Sequence, residues 1–149
     1  MNSTATSRRQ PVRDLLRGAR RGTTATIMMT GVFSFSEHAG WIGQLPPRQL
    51  IDRLFPHLED RGAEKLTIIA HLAYGTLLGS GYTALDRSPT ALRGALFGIA
   101  VCLANYEVAL PLLGLRQPLH RDRPAEILTM ATAHLVYGSK LSRSRRKAS

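Results

Sequence analysis

At 149 residues with a net charge of +10 and a pI near 11.0, the chain is one domain by size, and its basic balance points to an anionic partner, either nucleic acid or a phospholipid surface. Its single cysteine, Cys102, excludes an intrachain disulfide and any cysteine-based metal motif, and reads as a buried inert thiol. No G-x-S-x-G, P-loop, Rossmann or zinc-finger spacing occurs, so a soluble enzyme has no signature here.

The mean hydropathy of −0.09 hides a segregation of charge. Arg8, Arg9, Arg13, Arg17, Arg20 and Arg21 crowd residues 1–21, and Lys140, Arg143, Arg145, Arg146 and Lys147 crowd the other end. Around Pro11 to Arg17 the first segment supports at most a short amphipathic helix, with Val12, Leu15, Leu16 and Ala19 on one side, suited to an anionic membrane face. Ser7-Arg8-Arg9 is similar to a twin-arginine signal, but no apolar pair and no small-x-small site follow, so a cleaved leader is not expected.

A first span is expected over residues 22–41, charge-free from Gly22 to Ser36, carrying Glu37 near its end and Trp41 where an aromatic interface anchor belongs. Pro46-Pro47 stops it. Leu50, Ile51, Leu54, Phe55 and Leu58 then alternate with Arg48, Asp52, Arg53 and Glu59 at helical spacing, predicting a short amphipathic helix broken or kinked at Pro56, which lies flat on the surface in a membrane protein and packs as an ordinary helix in a soluble one.

Residues 66–85 form the second expected span, with Gly75 and Gly79 in G-x-x-x-G spacing. A turn follows, and then the third span over 94–115, with Gly94 and Gly98 spaced likewise and Glu107 as its only charge. Small residues four apart let helix backbones approach closely in lipid. Pro124-Ala125-Glu126 opens the fourth span, 124–141, with Gly138 near its end.

An internal repeat organises these elements. Ala70-His71-Leu72-Ala73-Tyr74-Gly75 returns as Ala133-His134-Leu135-Val136-Tyr137-Gly138, and each copy follows a span bearing one acid, Glu37 or Glu107. The fold expected is therefore all-α: a four-helix transmembrane bundle of two parallel two-helix repeats plus an interfacial helix, occupying residues 22–142, with a basic segment at 1–21 and a basic tail at 143–149. Lys and Arg concentrate in both termini and in the turn near Arg87 and Arg93, so the positive-inside rule places both termini in the cytoplasm.

Ionisable side chains within a span are costly and expected to pair or face the interior. Glu37, His71, Tyr74, Glu107, His134 and Tyr137 are accordingly expected to form an intramembrane hydrogen-bonded cluster that holds the halves together. The other readings are a metal site on the two acids and two imidazoles, a b-type haem held between His71 and His134, or passage of protons or a small solute. No catalytic residue, metal or cofactor is assigned. His38, His57 and His120 lie near loops and read as solvated.

The Thr- and Gly-containing first span, Pro46-Pro47, His71-x-x-Tyr74-Gly75, Asn105-Tyr106 followed by Pro111-Leu112-Leu113-Gly114, and His134-x-x-Tyr137-Gly138 together resemble the small four-span bacterial inner-membrane proteins typified by YagU. The resemblance covers residues 22 to 142 and implies a multipass membrane protein without an established activity. The function expected is thus a structural or interaction protein of the bacterial inner membrane, in contact with anionic lipid head groups and assembling as a homo-oligomer or in a larger membrane complex. The alternatives are a membrane redox or transport subunit and, from another class, a basic soluble helical protein binding nucleic acid through its tails.

Overall fold

In a computed structural model of the chain, residues 4–86 and 88–142 are described, with side chains from Val12 onward. Arg87 and the tail bearing Arg143, Arg145, Arg146 and Lys147 lie outside the described residues, as do the side chains of Arg8 and Arg9. Among the described residues the chain is all-helical. The helices are α1 (Thr4–His38), α2 (Pro46–Leu54), α3 (Asp60–Leu85), α4 (Ala91–Leu112) and α5 (Pro124–Lys140), with a 3-10 turn at Leu119–Arg121.

Gly22 is not a boundary. Arg13, Leu15, Leu16, Arg17 and Ala19 are strong helix formers, so the basic segment and the expected first span make one continuous helix. For the same reason Ala63, Glu64 and Lys65 carry the start of α3 back from residue 66 to Asp60. Pro46 and Pro47 occupy the first turn of α2, where their missing N–H groups cost nothing, and the Thr90 hydroxyl caps α4 by accepting the Arg93 N–H at 3.2 Å.

α1 and α4 end identically. Gly40 (φ +70°) and Gly114 (φ +64°) take the left-handed conformation, and the next residues, Trp41 and Leu115, donate their N–H groups back to Ser36 and Leu110.

Between these caps α4 has a feature that α1 lacks. Residues Ala104–Ala109 form a π-helix, closed by the Leu110 N–H on the Asn105 carbonyl. Pro111 has no N–H to offer the preceding turn, so the helix rearranges upstream of it.

α1 packs against both α3 and α5, and α5 against α4, giving the order α3, α1, α5, α4 around the bundle. The seams are made by glycine. A methyl group built on Gly79 would stand 2.6 Å from Gly22 Cα and 2.8 Å from the Gly18 carbonyl oxygen; Gly75 is closed by the Thr26 side chain. In the second half Gly94 and Gly98 meet the backbone of Gly138 and His134 just as tightly. The expected packing glycines thus all lie in helix seams, joined by Gly18 and Gly22.

By length and composition α4 is the one helix among the described residues that is apolar and long enough to cross a membrane. At 17 residues α5 is short for a span, while polar and glycine residues dilute the hydropathy of α1 and α3, where spans were also expected.

Candidate functional site

Since α3 and α4 are the outer members of the bundle order, no packed seam joins them, and a cavity of about 330 Å³ lies between them. α1 and α5 form its floor through Thr26, Met29, Phe33, His134 and Tyr137. α2 covers one end with Pro46, Pro47, Leu50 and Ile51. The amphipathic pattern of α2 is thereby explained: its apolar face roofs the cavity, while Arg48 on its other face bonds Asp52 at 2.7 Å and Asp60 at 2.9 Å. Those bonds, with Asp52 the larger influence, raise the pKa of the Arg48 guanidinium above its ordinary value.

Both copies of the repeat reach this cavity, because histidine and tyrosine three positions apart share a helix face. His71 lines it with its ring centroid 6.1 Å from that of Phe33. Among the described residues its two ring nitrogens have no hydrogen-bond partner. His134 is fixed instead. Its Nδ1 lies 2.8 Å from the Met130 carbonyl and must donate, so Nε2 is left as an acceptor, while Tyr106 meets the ring edge-on at 5.8 Å.

The tyrosines tie helices together. Tyr137 donates its hydroxyl to the Gly75 carbonyl at 2.7 Å, bonding the second repeat to the first, and Tyr74 donates to Asn105 Oδ1 at 3.1 Å, bridging the gap between α3 and α4. Asn105 comes from the π turn, which also places Tyr106 and Ala109 on the cavity wall. Neither Asn105 nor Tyr106 was expected at the site; a proline following a polar pair in an apolar helix was the available signal.

The expected six-residue cluster does not assemble. Glu37 sits exposed in the last turn of α1, away from the cavity lining. Glu107 turns outward and accepts two bonds from His120, from its backbone N–H at 2.9 Å and from Nδ1 at 2.7 Å. His120, read from the sequence as solvated, is therefore the histidine that pairs with an acid. The physical reason is register: the seams place Gly22 and Gly94, 72 positions apart, in equivalent contacts, whereas Glu37 and Glu107 are 70 apart and Glu107 lies within the π turn that α1 lacks.

A second charged group closes the same end of the bundle. Arg116 bonds Asp122 at 3.0 Å and is bonded more closely still by Glu126 at 2.6 Å, with Arg123 on the other oxygen of Glu126. All four charges are matched. Among the described residues no group of three or more metal-ligating side chains converges. Compared with protein-family models, curated proteins and solved structures, the chain matches none of them.

Proposed function

We propose that the chain is a four-span protein of the bacterial inner membrane, of the YagU-like kind, with both termini cytoplasmic and a structural or binding role rather than a catalytic one. The observation that carries this reading is a widely exposed apolar surface over a core that also takes in hydroxyl groups and an imidazole. Leu77, Leu85, Leu92 and Leu112 are between 70% and 87% exposed, whereas Thr26, Ser36, Thr129 and His134 are at most 4% exposed. A bundle bathed in water buries its leucines and exposes its threonines.

The means of holding the helices together agree. The seams use glycine contacts and hydroxyl bonds across helices, among them Thr23 to Thr76 at 2.7 Å and Thr129 to Ser36 at 3.2 Å, which is how helices associate where no hydrophobic effect acts between them. α4 is the one helix long and apolar enough among the described residues, and the reading of the other three as spans is supported by their packing in the same bundle and by exposed apolar side chains such as Leu77 and Leu128. The short α5 reaches the interface by snorkelling of Lys140.

A second reading, a membrane redox or transport subunit, is favoured by one observation: His71 and His134 line one cavity, and among the described residues both nitrogens of His71 and Nε2 of His134 have no hydrogen-bond partner. Fractionation of expressing cells, followed by an absorption spectrum of the detergent extract, tests both. Retention in the pellet after an alkaline carbonate wash is expected. Release into the wash would overturn the membrane reading and bring the basic ends forward as a nucleic-acid surface. A Soret band lost in His71→Ala would assign a b-type haem to the two histidines.

A further inference from the structure

We propose that the cavity between α3 and α4 is a binding site for a lipid-soluble quinone or quinol, an uncharged flat ring with oxygens on its edge and an apolar tail. The proposal rests on the membrane reading above and adds the occupant to it.

Access is the first argument. Tyr74 and Leu113 line the cavity yet remain 47% and 52% exposed, so they mark its mouth, and that mouth opens between two helices whose outward faces carry Leu77, Leu92 and Leu112. A molecule entering there comes from the hydrocarbon phase. Whatever it carries as a tail stays against that same apolar surface.

Charge and size narrow the class. Among the described residues no lysine, arginine, aspartate or glutamate lines the cavity, so the anionic head of a phospholipid or fatty acid would lie there without a countercharge, at high cost in a medium of low dielectric. The volume of about 330 Å³ stands at the lower end of small-molecule sites, about 300 to 1,000 Å³, which is room for one ring system.

The polar inventory selects among uncharged rings. Both hydrogen-bond senses are available on the wall: the Asn105 amide N–H₂ donates, His134 Nε2 accepts, and His71 can do either according to its tautomer. Tyr74 and Tyr137 have committed their protons and retain lone pairs. A hydrocarbon would leave both the donor and the acceptor unmatched, and a simple ether, which only accepts, would leave His134 Nε2 unmatched. A quinone carbonyl accepts from Asn105 and His71, and a quinol hydroxyl donates to His134. The aromatic rings of Phe33, Tyr74 and Tyr106 supply faces and edges for a flat partner. The π turn that turns Asn105 into the cavity is of the kind commonly found at functional sites.

The test is equilibrium binding to the full chain in detergent, using decyl-substituted benzoquinone, its quinol, and decylbenzene as a probe of equal tail but without ring oxygens. Saturable one-to-one binding of the quinone, with decylbenzene at least about tenfold weaker, is expected, and His71→Ala and Asn105→Ala should each weaken the quinone about tenfold. Leu135→Ala, on the outer face of α5, should leave binding unchanged. Should His71→Ala not fold, Asn105→Ala and His71→Gln carry the comparison. Equal binding of quinone and decylbenzene would overturn the proposal and leave an apolar groove; undiminished quinone binding in both cavity variants would overturn it by placing the ligand elsewhere. Absence of any binding to protein that survives the carbonate wash would overturn the site while leaving the membrane reading intact.

Discussion

The α1–α3 seam and the α4–α5 seam are built alike, yet only the second runs on into a π turn. In the first, Gly18 and Gly22 face Gly79 and Gly75 and the helix runs on unbroken to its cap at Gly40. In the second, Gly94 and Gly98 face Gly138, but two more residues separate Gly94 from Gly114 than separate Gly22 from Gly40, and the π turn and Pro111 fall within that stretch. The glycine seams set the backbone distance, and the π turn brings Asn105, Tyr106 and Ala109 to the cavity wall. In the 72-residue alignment of the seams Asn105 falls opposite Phe33 and Tyr106 opposite Ser34, so the second half brings an amide to the cavity wall where α1 brings an aromatic ring.

That contrast is broken most severely at the charged end of the second half. Arg116→Ala leaves Asp122 and Glu126, side chains only 5% and 11% exposed, short of their shared cation, and an unfolding measurement in detergent should register a loss of about 3 kcal/mol. A loss below about 1 kcal/mol would mean that Arg123 alone suffices.

The seams themselves come next. Gly98→Ala and Gly22→Ala each drive a methyl group into a neighbouring backbone and should cost about 1 to 3 kcal/mol by the same measurement. Gly31→Ala is the control. Nothing lies within 4 Å of its added carbon, so the higher helix propensity of alanine should leave the protein unchanged or up to about 1 kcal/mol more stable. Equal losses at Gly31 and Gly98 would sink the seam account.

Smaller effects sharpen the cavity. Tyr137→Phe removes the bond that joins the second repeat to the Gly75 carbonyl and should cost about 0.6 kcal/mol, in line with hydrogen bonds between membrane helices. Glu37→Gln should change neither stability nor quinone binding, since Glu37 touches none of the cavity. A measurable effect there would restore the six-residue cluster that the repeat suggested.

The sequence made the helices and their seams legible because both rest on local signals: apolar runs bounded by Pro46-Pro47 and Pro124, and glycines four apart. The matched hexapeptides singled out His71 and His134, which both line the cavity, but not the separation of Glu37 and Glu107 from them. What escaped was set by register over longer distances. Gly18 lay in a segment read as a polar end and so was not recognised as the partner of Gly79; a spacing of four to Gly22 was the signal. Glu37 and Glu107 looked equivalent because they were counted along the sequence, whereas the seams offset them by two positions and the π turn rotates Glu107 toward His120. The role of α2 as a roof was hidden for a different reason: an amphipathic pattern states that a face is buried, not what it is buried against.

The central claim is that four helices cross a bilayer with both ends on the cytoplasmic side. Single cysteines placed at Gly43, Ser88 and Gln117 in a Cys102→Ala background, labelled in intact cells with a membrane-impermeant maleimide, test it most directly. The account predicts labelling from outside at positions 43 and 117, and at position 88 only after the inner membrane is opened. Labelling of all three only after opening, with the protein released by carbonate, would contradict it.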